Sequence, residues 1–195
     1  MQYDEVINTK MTYKNKKMIV CALGGIFVFL WIFSYSHSAL ASEITAENIV
    51  KVVNAERQAR YLEPLNANSK LENAAKNKSI DMIVKNYFEH YANGRTPWSF
   101  IRNEDYEYSI AGENLAMGYS TAEGVVNAWM NSPTHRANIL NPEYEDIGVG
   151  VVKGAYFEDG KVVDTTITTE MFAKPKPRIV QMIDTAFETI SKIFK

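Results

Sequence analysis

The sequence predicts an α+β layered domain, because helix-forming segments come first and strand-forming segments come last. Three observations carry that expectation. Capping signals followed by apolar residues at helical spacing recur between Thr45 and Asn131. Two alternations, Ile147-Val149-Val151 and Thr165-Ile167-Thr169-Met171, flank the turn signal Glu158-Asp159-Gly160 and read as an antiparallel hairpin. Strands do not alternate with helices, so a doubly wound parallel sheet is not expected.

Ahead of that domain lies a segment that reads as an address. Lys10, Lys14, Lys16 and Lys17 precede the unbroken apolar run Met18 to Phe33, and Ala39-Leu40-Ala41 before Ser42 fits a small-x-small cleavage pattern. Residues 1–41 are therefore expected to be an export signal cut after Ala41, with an uncleaved N-terminal anchor as the alternative. Positive charge before the run orients the remainder outward in both cases. The protein is expected to be secreted or held at the cell surface. The run is apolar on every face, which disfavours a core helix.

The chain has 195 residues and a formal net charge of −2. Setting aside the first 41 residues removes more basic than acidic side chains, so the exported part is distinctly acidic. No long basic run remains, and no nucleic-acid partner is expected. The single cysteine, Cys21, lies in the apolar run. The exported domain thus has no disulfide, cysteine-ligated zinc or cysteine nucleophile, and core burial must hold it together.

Within residues 42–175, a first helix is expected from Thr45 to Arg60, with Thr45 as N-cap and Ile44 as staple. Leu62 and Leu65 follow in a loop directed toward the core. A second helix runs from Ser69 to Lys85, opened by a capping box between Ser69 and Glu72, with Leu71, Ala74, Ala75, Lys78 and Met82 inward. The stretch NYFEHY then presents His90. Thr96-Pro97 opens a short helix carrying Trp98 and Ile101. Extended chain from Tyr108 to Met117 is expected to be interrupted at Gly112. Ser120 and Glu123 form another capping box, opening a helix to Asn131 in which Trp129 packs in the core. Pro133 starts a helical turn with His135 and Asn138. Past Pro175 and Pro177, residues 176–195 form a C-terminal amphipathic helix. It is expected to pack on the domain's own surface, with a partner or interfacial membrane contact as alternatives.

His37 falls in the export segment, so His90 and His135 are the only histidines of the exported domain. With Glu113 they are expected to line one cleft. The stretches FEHY, GENLA, AWMNSPTHRANIL, IGVGV and TTITTEMFAKP, in that order, resemble the CAP superfamily of cysteine-rich secretory, antigen-five and pathogenesis-related proteins, in its cysteine-free bacterial branch. The likeness covers roughly Ile49 to Lys174. It implies a three-layer α-β-α sandwich with a central antiparallel sheet. It also implies a cleft of two histidines and two acids, of which His90, Glu113 and His135 match three. The fourth position falls near Asn131 or Ser132, neither of them acidic.

Two imidazoles and a carboxylate suit Zn²⁺ with an open position for water, which is a route to a metal-dependent hydrolase or protease. His90 and His135 are the metal-ligand candidates. No HExxH-type spacing supports a local metal motif. In the metal-free reading Glu113 accepts a hydrogen bond from one imidazole, with Gly112 allowing the close approach. Asn114, Ser132, Thr134 and Asn138 are candidate orienters. A Ser132-His-Glu triad is disfavoured because no nucleophile elbow surrounds the serine. The missing second acid turns the leading expectation toward ligand binding, with a lipid, peptide or cell-wall component in the cleft.

Overall fold

The computed structural model describes residues 41–193; the expected export signal lies outside them, apart from Ala41. Residues 41–195 form one compact unit. The elements follow in order: α1 (Ala46–Gln58), β1 (Asn66–Ala67), α2 (Ser69–Lys85), α3 (Pro97–Asn103), β2 (Tyr108–Met117), α4 (Ala122–Asn131), α5 (Pro133–Ile139), β3 (Asp146–Glu158), β4 (Lys161–Pro175) and α6 (Arg178–Ile193). Among the described residues they make one four-stranded sheet, ordered β1-β3-β4-β2. β3 pairs antiparallel with β4, and β4 with β2. The two-residue β1 is the exception, lying parallel to β3.

The glycines of Ile147-Gly148-Val149-Gly150-Val151 explain how the sheet acquires two different faces. Side chains alternate across a strand. Ile147 and Val149 enter a core with Ile49, Val53, Val125, Val126 and Trp129, from α1 and α4. Gly148 and Gly150 face the other way, where a Cβ would collide with the α2 backbone at Leu71 and at Ala75-Lys76. α2 therefore lies directly on β3. Leu71, Ala74 and Ala75 of α2, Phe100 and Ile101 of α3, and Met171 and Ala173 of β4 fill that second layer. The predicted three layers are present, α2 and α3 on one face and α1, α4 and α5 on the other.

Four local expectations change. α2 is capped by Asn68, whose side chain accepts from the Lys70 and Leu71 amides, and not by Ser69. The cause is β1: the Asn68 amide still bonds the Ile147 carbonyl, so the chain stays extended one residue into the predicted box. α4 is capped by Thr121, which accepts from the Gly124 amide, in place of Ser120. β2 runs unbroken through Gly112, and its irregularity falls between Tyr108 and Ile110. Gly112 serves a different purpose, since a Cβ there would strike the Tyr144 hydroxyl.

The fourth change concerns α6. Its apolar side chains are not covered by the domain: Met182 is 68% and Phe187 69% exposed. Ile179, Ile183 and Ile190 are exposed as well. No helix among the described residues is long and apolar enough to cross a membrane.

Candidate functional site

Among the described residues β2 is one of the two edge strands of the sheet, and both helical layers reach it. Consecutive β2 residues point to opposite layers. Glu113 meets His90 from the loop after α2. Asn114, next in sequence, meets α5 through the His135 carbonyl and the Asn138 side chain. The GEN triplet thus touches the carriers of both histidines at once.

The His90 loop is fixed by charge. Lys78 on α2 is fully buried, and its Nζ donates to the Glu89 carbonyl at 2.8 Å and the His90 carbonyl at 3.1 Å. One turn on, Asp81 accepts from the Tyr87 hydroxyl at 2.7 Å and from Arg95 at 3.0 Å. Burial lowers the Lys78 pKa, an effect opposed first by the charge of Glu113. α5 is fixed from its other end. Buried Arg57 of α1 donates to the carbonyls of Ile139 and Asn141, each at 2.8 Å, and of Glu63 at 2.9 Å.

At the centre, His90 Nδ1 stands 2.7 Å from Glu113 Oε1. The Glu113 side chain is 2% exposed and that of His90 46%. Burial raises the Glu113 pKa, against the hydrogen bond from His90 and the charge of Lys78. With the carboxylate as acceptor, His90 Nδ1 carries a proton and donates it to this bond. Glu113 Oε2 is buried and meets no hydrogen-bond partner among the described residues. His135 is half-buried, and burial, then the nearby charge of His90, lowers its pKa. It is therefore neutral at neutral pH.

Behind the edge lies a second carboxylate. Glu170 of β4 is fully buried, and its Oε2 accepts from Asn114 Nδ2 at 2.9 Å. Burial pushes its pKa up to about 8, against that hydrogen bond, so it is a neutral acid at pH 7. Asn138 donates to the Glu113 carbonyl at 3.1 Å and to Asn114 Oδ1 at 2.8 Å. Asn138 thus satisfies strand groups as well as its own turn.

Imidazole nitrogens are suitable zinc donors, but the arrangement supplies few of them. Among the described residues no group of three His, Cys, Asp or Glu side chains comes together as a ligand set. Glu113 stands behind His90, in the position of a carboxylate that orients a ligand. A three-residue protein shell does not fit this geometry. Ser132 bonds the Thr134 hydroxyl at 3.3 Å. Trp129 is core, its indole donating to the Leu115 carbonyl.

Residues 50–168 match the model of the cysteine-rich secretory protein family, CAP. The chain belongs to the CAP family. Uncharacterized protein YkwD of Bacillus subtilis is 45% identical over 108 residues, which are 55% of this chain and 42% of that protein. An uncharacterized membrane protein of the same organism, YlbC, is 30% identical over 58% of this chain and 33% of its own length. This CAP chain thus spans less than half the length of these two relatives. Among solved structures, an extracellular SCP-domain protein of Bacillus anthracis has a TM-score of 0.57 at 25% identity, covering 66% of this chain and 40% of that one. An outer surface protein of Borrelia burgdorferi has a TM-score of 0.56 at 26% identity, covering 70% of this chain and all of that one. The CAP architecture is thereby shown from both sequence and fold.

Three site-building residues escape motif reading: Lys78, Arg57 and Glu170. Only Lys78 left a signal, a charged side chain at a position whose helical period is inward. Periodicity places Lys78 on the inner face of α2 but cannot name the loop carbonyls it holds.

Proposed function

We propose that this CAP protein is exported and acts by binding a ligand against the β2 edge, where His90, Glu113 and His135 are the contact residues. The observation that carries the reading is the contrast within the His90–Glu113 pair. A carboxylate that is 2% exposed orients an imidazole that is 46% exposed. Such a pair presents a directional hydrogen-bonding group to a ligand. The export signal supports placement outside the cytoplasm, as do the extracellular and outer-surface descriptions of the two structural relatives. A lipid, peptide or cell-wall component is the ligand class for such a location.

The test uses residues 42–195 and a His90→Ala/His135→Ala double variant. Each is mixed with phospholipid vesicles, a casein peptide digest and purified peptidoglycan. Retention of the parent protein and loss of the variant on one probe is expected. Equal retention of both proteins on all three sinks the proposal.

A second reading, a zinc-dependent hydrolase or protease, draws on the carboxylate–histidine arrangement, which is also how metal-binding histidines are oriented. His90 and His135 would be the residues that hold the ion. Calorimetric zinc titration of the same two proteins decides it, because equal zinc uptake by both removes the site.

A further inference from the structure

The predicted cleavage would leave Ser42 as the first residue. Ser42 is held on three sides by the start of α4. Its backbone N donates to Glu123 Oε2 at 2.9 Å and its hydroxyl to Glu123 Oε1 at 2.7 Å. Its carbonyl accepts from the Ala122 amide at 3.2 Å. Glu43 forms an antiparallel bridge with Thr121, and Ile44 is buried in the core. Glu123 is the residue expected to close a capping box with Ser120. Thr121 takes over the capping, which leaves the Glu123 carboxylate to both donors of Ser42.

We propose that Glu123 is a receptor for the α-ammonium group of Ser42 created when the export signal is removed. The inference rests on cleavage after Ala41. In that step a processing peptidase and one water break the Ala41–Ser42 amide. The hydroxyl joins the Ala41 carbonyl carbon as a carboxylate. The nitrogen leaves as an amine that takes up a proton at neutral pH. The nitrogen now 2.9 Å from Glu123 Oε2 thereby changes from a neutral donor to a charged one, and the same contact becomes a charge-assisted hydrogen bond. Hydrogen bonding from Ser42 already holds the Glu123 carboxyl below its ordinary pKa, so the acceptor is ionised. Glu123 has a further effect. An ammonium beside the N-terminus of α4 would meet the positive end of the helix dipole, and the carboxylate stands between them. Processing therefore strengthens the seam between the first residues and α4.

Two measurements test this separately. The full chain is expressed with export, and the exported protein is weighed by intact mass spectrometry, with Ser42 expected as its first residue. Any other N-terminus overturns the proposal through its processing step. Independently, residues 42–195 are prepared with a free and with an acetylated Ser42, each as the parent and as Glu123→Gln. The free amine is expected to raise the parent Tm by about 2 °C over the acetylated form. In Glu123→Gln that difference should vanish or reverse. Equal Tm for the two parent forms, or an undiminished difference in Glu123→Gln, overturns the grip whatever the N-terminus proves to be.

Discussion

Glu170 and Lys78 are two buried ionisable groups in which burial disfavours the charged form, and they differ in the partners that oppose it. Glu170 has only the Asn114 amide to stabilise its charge, so it keeps its proton up to about pH 8. Its folded pKa exceeds the ordinary value of 4.5, so stability is full below pH 4.5 and is lost as pH rises toward 8. Glu170→Gln mimics the neutral acid and removes that loss. Denaturation curves should show the variant gaining on the parent across this window, by on the order of a few kcal/mol at its upper end. A constant gap between the two proteins would contradict a neutral Glu170. Lys78 is satisfied by two carbonyls and lies 4.9 Å from the centre of the Tyr87 ring. Lys78→Met removes these bonds and frees the His90 loop. Hydrogen exchange at the Tyr87, Ala92 and Arg95 amides, all bonded in the parent, should quicken about tenfold while the β3–β4 amides keep their rates.

Among elements, α2 and β2 contribute most to the site. α2 carries Lys78 and Asp81 on the turns that face the His90 loop, and the glycines of β3 let it lie close enough to the sheet to do so. Its start is decided by tertiary pairing. Ser69-Lys70-Leu71-Glu72 satisfies the capping-box pattern, yet the β1–β3 ladder extends the backbone through Asn68 and makes that residue the cap. Asn68→Ala should therefore cost about 1 kcal/mol in urea unfolding, with Ser69→Ala near zero. The reverse order would restore the box. β2 performs a second service, because as an edge strand it offers Glu113 to one layer and Asn114 to the other. The GENLA motif marks the strand; only the sheet order shows why it matters that this strand is at the edge.

At the scale of the whole molecule, the domain and α6 differ in how they are held. The two layers bury their apolar side chains against a common sheet, whereas α6 leaves its own apolar side chains exposed. A chain ending at Pro177 should unfold at the same urea midpoint and with nearly the same m-value as residues 42–195, since little surface buried in the domain is lost. A lower midpoint would mean that α6 stabilises the domain. The amphipathic stripe itself is legible in the sequence, but periodicity reports only that a helix has an apolar face. It does not report what that face touches.

The sequence by itself determined the family, the α+β order, the hairpin and most element boundaries, because these follow from local capping chemistry, side-chain period and motif succession. It also named His90, Glu113 and His135, through the order of their motifs. Tertiary structure alone decided how these residues relate. His90 and Glu113 are 23 positions apart and meet because Lys78 and Asp81 hold the His90 loop to α2, beside the strand that carries Glu113. Asn68 and Thr121 displace the expected caps because a neighbouring strand and an N-terminal bridge set the backbone there. Glu170 and Arg57 are ordinary charged residues on paper. Burial, which no local pattern measures, makes one a neutral acid and the other the tie that holds α5 in place.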